Sequence, residues 1–130
     1  MSVISAKTLT KYYGKARGIE SLDLEVQEGE VFGFLGPNGA GKTTTIRLLL
    51  NLIRPTVGTA SIMGMDVTTR SLDTRRLCGV VFSEPAFYGK LTGRSNLQLL
   101  QSYHVQGNSY TEELAERLDL DLDRPVRALS

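Results

Sequence analysis

A glycine-rich segment, GPNGAGKT at Gly36–Thr43, constrains the fold of this chain more than any other stretch. It has the spacing G-x-x-x-x-G-K-[ST], follows an apolar run at Val31–Leu35 and precedes a helical pattern from Thr44 onward. This order predicts a strand, a phosphate-binding loop (P-loop) and a helix. Backbone N–H groups of such a loop converge on phosphate oxygens, and the helix N-terminus adds partial positive charge at the same place.

The side chains of this segment predict how a nucleotide is held. Lys42 carries a full positive charge to the β- and γ-phosphates, and the Thr43 hydroxyl is a ligand for Mg²⁺. The predicted binding residues are Gly36, Pro37, Asn38, Gly39, Ala40, Gly41, Lys42, Thr43 and Thr44. The alternative is a glycine-rich turn that matches the spacing by accident, and the predicted strand and helix on either side disfavour it.

Composition excludes several classes of protein. The 130 residues suit one domain, and 15 basic against 14 acidic residues give a net charge of +1, which does not favour nucleic acid or an anionic membrane surface as a partner. The single cysteine, Cys78, excludes an intramolecular disulfide and makes a reducing cytosol the default. No apolar stretch is long enough to span a bilayer, and the N-terminus lacks the apolar region of a signal peptide. A role at a membrane would therefore depend on another subunit.

Hydrophobic periodicity predicts the elements around the loop. Strands are predicted at Val3–Thr10, Leu22–Val26 and Gly58–Met63, with a wide turn around Gly14 and Gly18, and a buried strand at Gly79–Phe82. Helices are predicted at Thr44–Ile53, Thr69–Leu77, Ser95–His104 and Thr111–Leu118. The period-two patterns indicate an antiparallel element beside the nucleotide site.

Capping signals define the two later helices. Thr92 is predicted to cap the third helix, whose apolar face would carry Leu97, Leu100 and Tyr103. Ser109 and Glu112 are predicted to form a capping box for the fourth helix.

Taken together, these segments resemble the N-terminal part of an ATP-binding-cassette (ABC) transporter ATPase. LTKYYG at Leu9–Gly14 is similar to the family's opening strand and aromatic A-loop, and GPNGAGKTTT is the family's form of the P-loop. LTGRSNL at Leu91–Leu97 resembles the entry to the helical subdomain, and Leu129-Ser130 falls where the LSGGQ-type signature begins.

The resemblance implies a fold and a domain organisation. The fold class would be α/β, a P-loop NTPase of the ABC ATPase type with an antiparallel β portion, truncated before the signature motif. Residues 1–130 would form a partial nucleotide-binding domain. Its P-loop core and antiparallel sheet would cover about residues 1–90, and the start of a helical subdomain about residues 91–130.

The resemblance also implies a function, ligands and partners. The chain would carry the ATP-binding half of an export-type transporter subunit that couples ATP binding and hydrolysis to transmembrane export. ATP and Mg²⁺ would be its cofactors, with Tyr13 stacked on adenine. A membrane-spanning transporter subunit and a second ABC cassette would be its partners, and no nucleic acid is expected. The protein would lie in the cytoplasm, held peripherally at the inner face of the cell membrane by its partner.

Two departures from the family pattern affect the chemistry. Ser83 stands at the position of the Q-loop glutamine, with Glu84 next, so either Glu84 substitutes or the contact to Mg²⁺ runs through water. The family's Walker B carboxylates and switch histidine correspond to sequence after Ser130. The 130-residue chain is therefore expected to bind ATP without hydrolysing it.

Other interpretations remain open from the sequence. The chain could be a non-transport ABC ATPase acting in DNA repair or on the ribosome, an unrelated P-loop kinase or GTPase, or an inactive truncated cassette. His104 is interpreted as a solvated helix residue, and Asp66 and the acidic stretch 119–124 as solvated loop charge rather than a metal site. Cys78 is interpreted as a small apolar residue.

Overall fold

The structure is a computed structural model that describes residues 1–81, 87–103 and 110–128. It divides into two compact units, Met1–Val80 and Val81–Ser130. Among the described residues, no helix combines the length and the apolar character needed to cross a membrane.

The first unit is built on an antiparallel sheet of four strands. These are β1 (Ser2–Tyr13), β2 (Ala16–Gln27), β3 (Val57–Ile62) and β4 (Met65–Asp66), in the spatial order β2-β1-β3-β4. The strands predicted at Val3–Thr10, Leu22–Val26 and Gly58–Met63 and the antiparallel element are thus confirmed.

The connection between β1 and β2 is tighter than predicted. It is a turn at Gly14 and Lys15, after which Ala16 pairs with Tyr13 and Arg17 pairs with Tyr12. The prediction of a wide turn that includes Gly18 is wrong, because the pairing of the strands continues to the turn and places Gly18 inside β2.

Two helices follow the P-loop in this unit. Helix α1 (Lys42–Leu49) begins two residues before the predicted start at Thr44, and helix α2 (Ser71–Arg76) is shorter than predicted. The predicted end of α1 at Ile53 is wrong, because Asn51 adopts a left-handed conformation (φ +50°) that ends the helical backbone.

The core of the first unit lies between the sheet and α1. Leu9, Leu48 and Val67 are fully buried there, together with Ala6, Ile19, Ala60 and Ile62. Cys78 packs against this cluster, and its Sγ–H donates to the Thr74 carbonyl at 3.3 Å. Burial raises the pKa of the Cys78 thiol, so the interpretation of this cysteine as a small apolar residue is confirmed.

Two predicted strands are absent from the described residues. Val31–Leu35 is irregular and pairs with no strand, and Val31 is fully exposed and Leu35 91% exposed. Residues 79–81 are also irregular, with Val81 91% exposed. Phe82, the end of the predicted strand at Gly79–Phe82, lies outside the described residues. The predictions fail because an apolar pattern becomes a strand only beside a hydrogen-bonding partner, and β1 to β4 pair only among themselves.

Asp66 organises the turn after β4. Its Oδ1 accepts hydrogen bonds from the backbone N–H groups of Thr68 (2.8 Å) and Thr69 (2.9 Å) and from both threonine hydroxyls. The interpretation of Asp66 as solvated loop charge is wrong, because its carboxylate completes a turn. The hydrogen bond from the Thr68 hydroxyl is the main reason why the pKa of Asp66 is lowered. Within residues 1–81, 87–103 and 110–128, no group of three metal-ligating side chains occurs.

Asp66→Asn is expected to lower the stability of the first unit by about 1 kcal/mol at pH 7, because hydrogen bonds to a partly exposed carboxylate are stronger than those to an amide. The lowered pKa of Asp66 means that its stabilisation is present above the unfolded-state pKa, near 4, and is lost as the pH falls through the folded-state pKa. Urea unfolding at pH 7 and pH 3 measures both effects. The difference in stability between the wild type and the variant should shrink at pH 3.

Glu28→Gln, which removes an exposed charge, is the control for Asp66→Asn. An equal effect of the two substitutions on the free energy of unfolding would contradict the role of Asp66.

The second unit contains α3 (Gly93–Gln101), α4 (Thr111–Arg117) and a 3₁₀ helix at Val126–Ala128. Thr92 caps α3 as predicted, since its Oγ1 accepts a hydrogen bond from the Ser95 N–H at 3.1 Å. Helix α4 begins after Tyr110, which makes no side-chain cap bond. The predicted capping box of α4 depends on Ser109, which lies outside the described residues, as does His104.

A buried asparagine holds the loop before α3. Asn96 is 3% exposed, its Oδ1 accepts from the Tyr88 N–H at 2.8 Å, and its Nδ2 donates to the carbonyls of Tyr88 (3.1 Å) and Thr92 (3.0 Å). The predicted apolar face is wrong at Leu100 and Tyr103, which are 47% and 75% exposed. The helix instead buries Gly93 and Asn96, since this face satisfies backbone groups of the preceding loop.

Arg94 connects α3 with the acidic stretch 119–124. Its guanidinium donates to Asp123 Oδ1 at 2.8 Å and also pairs with Glu112 of α4. The bond to Asp123 raises the pKa of Arg94, and the same contact lowers the pKa of Asp123. Asp123 is therefore an ion-pair partner, which corrects the interpretation of this stretch as purely solvated charge.

Candidate functional site

The P-loop turns sharply between residues 36 and 42. The Ala40 N–H donates to the Pro37 carbonyl at 3.1 Å, and Gly39 and Gly41 have left-handed backbones with φ of +84° and +88°. At Gly41 a Cβ atom would lie 2.2 Å from Ile19 Cγ2 and 2.8 Å from the Gly18 carbonyl oxygen. The loop therefore packs directly on β2, and glycine is required at residue 41 for both conformation and space.

The first turn of α1 follows this contact. Thr45 is fully buried, and both its N–H (2.8 Å) and its hydroxyl (3.0 Å) donate to the Gly41 carbonyl. The N–H groups of Lys42, Thr43 and Thr44 come before that first helical bond. They therefore have no acceptor within the helix, as is general for the first N–H groups of a helix. Together with the helix dipole, they give the start of α1 a partial positive charge.

The Lys42 side chain folds back over the P-loop. Its Nζ donates to the Pro37 carbonyl at 2.7 Å and also contacts the Gly36 carbonyl. An ammonium group has three N–H donors, so these contacts fix the charge of Lys42 beside the loop and leave it able to bind an anion.

The P-loop and the β1–β2 hairpin enclose a pocket of about 300 Å³. It is lined by Tyr13, Arg17, Gly18, Asn38, Gly39, Gly41, Lys42, Thr43 and Thr44. Gly36 and Pro37 do not line this pocket, but their carbonyls accept from the Lys42 ammonium that does. Ala40 lines a neighbouring cavity. Two of the lining side chains are cationic and none is a carboxylate, which favours an anionic ligand.

The two adjacent tyrosines have different surroundings. Tyr13 is 46% exposed and lines the pocket, where a Cβ atom on Gly18 would lie 2.9 Å from its Cε2. Lys11 Nζ lies 5.5 Å from the centroid of the Tyr13 ring. The hydroxyl of Tyr12 instead donates to Glu20 Oε1 at 2.6 Å. Tyr13 is thus the tyrosine that presents an aromatic surface to the pocket.

Arg17 and Gly18 line the pocket although no sequence motif predicts them there. The sequence feature that could have identified them is the short turn after Tyr13. A two-residue turn there places Arg17 and Gly18 in β2 close to Tyr13. Ser83 and Glu84, predicted at the Q-loop position, lie outside the described residues.

The pocket residues fit a nucleoside triphosphate with Mg²⁺. The volume lies at the lower end of the range of small-molecule sites, and three of the nine lining residues are glycines, which present no side chain to the pocket. The hydroxyl of Thr43 lines the same pocket and is an oxygen ligand of the kind that Mg²⁺ binds.

Comparison with known proteins agrees with this geometry. Residues 19–130 match the model of the family described as ABC transporter. The chain is 44% identical over 96 residues to the bacitracin transport ATP-binding protein BcrA of Bacillus licheniformis, covering 74% of this chain and 31% of that protein. It is 42% identical over 119 residues to the daunorubicin/doxorubicin resistance ATP-binding protein DrrA of Streptomyces peucetius, covering 89% of this chain and 36% of that protein.

A solved structure described as the ATP-binding subunit of an ABC transporter has the same fold, with a TM-score of 0.81 at 27% identity. The match covers 98% of this chain and 56% of that one. The chain spans about a third of the length of the two curated relatives, BcrA and DrrA. The predicted fold class, that of an ABC-type P-loop NTPase, is confirmed.

Proposed function

Because the chain belongs to the ABC transporter family, we propose that it forms the ATP-binding part of a transporter subunit that couples ATP binding and hydrolysis to export across a membrane. The observation that supports this most is that Tyr13, Lys42 and Thr43 line the same pocket. The names of BcrA and DrrA, which refer to bacitracin transport and drug resistance, favour export.

Each pocket residue has a role in this proposal. The N–H groups at the start of α1 and the charge of Lys42 bind the β- and γ-phosphates, and the hydroxyl of Thr43 ligates Mg²⁺. The ring of Tyr13 stacks on adenine. Bound Mg²⁺ neutralises charge on the phosphates, while the chain's own residues bind and orient them. Ser83, or Glu84 in its place, is proposed for the Q-loop contact.

The proposed partners follow from the same family. Binding and hydrolysis of ATP would change the conformation of a membrane-spanning transporter subunit. A second ABC cassette would complete the nucleotide site. The protein would then lie at the cytoplasmic face of the membrane, where ATP is available.

Lys42→Ala is expected to weaken the binding of MgATP at least tenfold. A charge-assisted hydrogen bond contributes about 1.5–3 kcal/mol, and tenfold in affinity corresponds to about 1.4 kcal/mol. Calorimetric titration of the wild type and the variant measures the difference. Arg47→Ala is the matched control, since Arg47 is an exposed cation of α1 that is not among the pocket residues. Equal affinities of the wild type and Lys42→Ala would contradict the proposed role, and a wild type that binds no MgATP would overturn the proposed function.

A further inference from the structure

The pocket contains a second cationic side chain besides Lys42. Arg17 lines it from the side of the β1–β2 hairpin, whereas Lys42 lines it from the side of the P-loop. A nucleoside triphosphate carries several negative charges along its length. The groups assigned above act on the β- and γ-phosphates, so the phosphate nearest the ribose has no cation of its own among them.

Arg17 has only a weak interaction of its own. Its Nη1 lies 3.5 Å from Glu20 Oε2, and the two side chains are 70% and 50% exposed. Exposed ion pairs of this kind contribute little to stability, and a guanidinium has five N–H donors. Arg17 can therefore turn toward an anion in the pocket at small free-energy cost.

Glu20 is held in place by another residue. Its Oε1 accepts the hydroxyl of Tyr12 at 2.6 Å, and Tyr12 is directly opposite Arg17 in the pairing of β1 and β2. The Tyr12 hydroxyl is the main cause that lowers the pKa of Glu20, which keeps this carboxylate charged. Tyr12 thus fixes the carboxylate of Glu20, while the weak contact between Glu20 and Arg17 leaves most donors of the guanidinium available to an anion.

The position of Arg17 along the pocket indicates which phosphate it meets. Arg17 adjoins Gly18, where an added Cβ atom would lie 2.9 Å from the ring of Tyr13, whereas Lys42 is held by carbonyls at the start of the P-loop. Accepting the proposed function, in which Tyr13 stacks on the base, we infer that Arg17 is a further nucleotide-binding residue that contacts the phosphate nearest the ribose. It sets affinity for nucleotides irrespective of whether a γ-phosphate is present.

Calorimetric titration of the chain with MgATP and MgADP tests this inference. Arg17→Ala is expected to weaken both nucleotides by a similar factor of about tenfold, the size of one lost charge-assisted contact. Arg17→Lys, which keeps the charge, should recover part of the affinity. Lys15→Ala is the matched control, because Lys15 is an exposed cation in the adjacent turn that is not among the pocket residues. Arg17→Gln keeps much of the side-chain length, and thermal melts of all variants show whether each is folded.

The outcomes separate this inference from the proposed function. A wild type that binds MgATP, with Arg17→Ala and Arg17→Gln no weaker than Lys15→Ala, would overturn the role of Arg17 and leave the proposed function standing. A loss confined to MgATP would overturn its assignment to the phosphate nearest the ribose. A wild type that binds neither nucleotide would overturn the proposed function and this inference with it.

Discussion

Gly41→Ala is expected to weaken nucleotide binding at least 100-fold and to distort the P-loop. The left-handed backbone at residue 41 disfavours any side chain by about 1–2 kcal/mol. The new Cβ atom would also lie 2.2 Å from Ile19 Cγ2 and 2.8 Å from the Gly18 carbonyl oxygen, so β2 or the loop must move. Overpacking of this kind adds about 1–3 kcal/mol. Titration with MgATP and a thermal melt measure the two effects.

Gly39→Ala is the matched control for this substitution. Gly39 has nearly the same φ as Gly41, +84° against +88°, but a Cβ atom there would meet no atom within 4 Å. Gly39→Ala should therefore show only the effect of backbone conformation. If the two variants lose the same affinity and stability, the contact between the P-loop and β2 does not position the loop.

Asn96→Ala is expected to destabilise the second unit by roughly 1–3 kcal/mol. The substitution leaves the Tyr88 N–H without its acceptor, and one unsatisfied group of this kind costs about 1–3 kcal/mol. The carbonyls of Tyr88 and Thr92 lose the Asn96 Nδ2 donor but keep the backbone N–H groups of Leu91 and Asn96. Hydrogen exchange at the Tyr88 amide measures the local effect, and urea denaturation measures the overall one. The Tyr88 amide should exchange far faster in the variant.

Two further variants define what Asn96 does. Gln98→Ala changes an exposed residue of the same helix and should alter stability by about 0.5 kcal/mol or less. Asn96→Asp keeps an acceptor for the Tyr88 N–H but turns a carboxylate oxygen toward two carbonyls, so it should be at least as destabilising as alanine. A stable Asn96→Asp variant with a protected Tyr88 amide would show that the donor group of Asn96 is unimportant.

The elements that sequence predicts best are those whose signal is local. The alternation of β1 and β2, the capping of α3 by Thr92 and the spacing of Gly36–Thr43 each depend on a few neighbouring residues. The structure places most of the P-loop residues in one pocket with Tyr13. The roles assigned to them at a bound nucleotide stay predictions.

The elements that sequence does not predict depend on residues distant in the chain. Val31–Leu35 has the composition of a buried strand, but pairing requires a neighbour, and its side chains are mostly exposed. Arg17 carries no motif and enters the pocket only because of the register between β1 and β2. Asn96 lies in a mostly polar stretch of α3, and its role depends on the path of the loop at Tyr88.

The turn at Gly14 and Lys15 also has a consequence for the order in which the chain folds. β1 and β2 are adjacent in sequence, and a hairpin of this kind forms in about 1–10 μs. The pairing of β1 with β3 joins Ile4 to Ile62, so it must close a much longer loop and lose more chain entropy. The hairpin that carries Tyr13, Arg17 and Ile19 can therefore form first, and the P-loop then packs against a strand that is already in place.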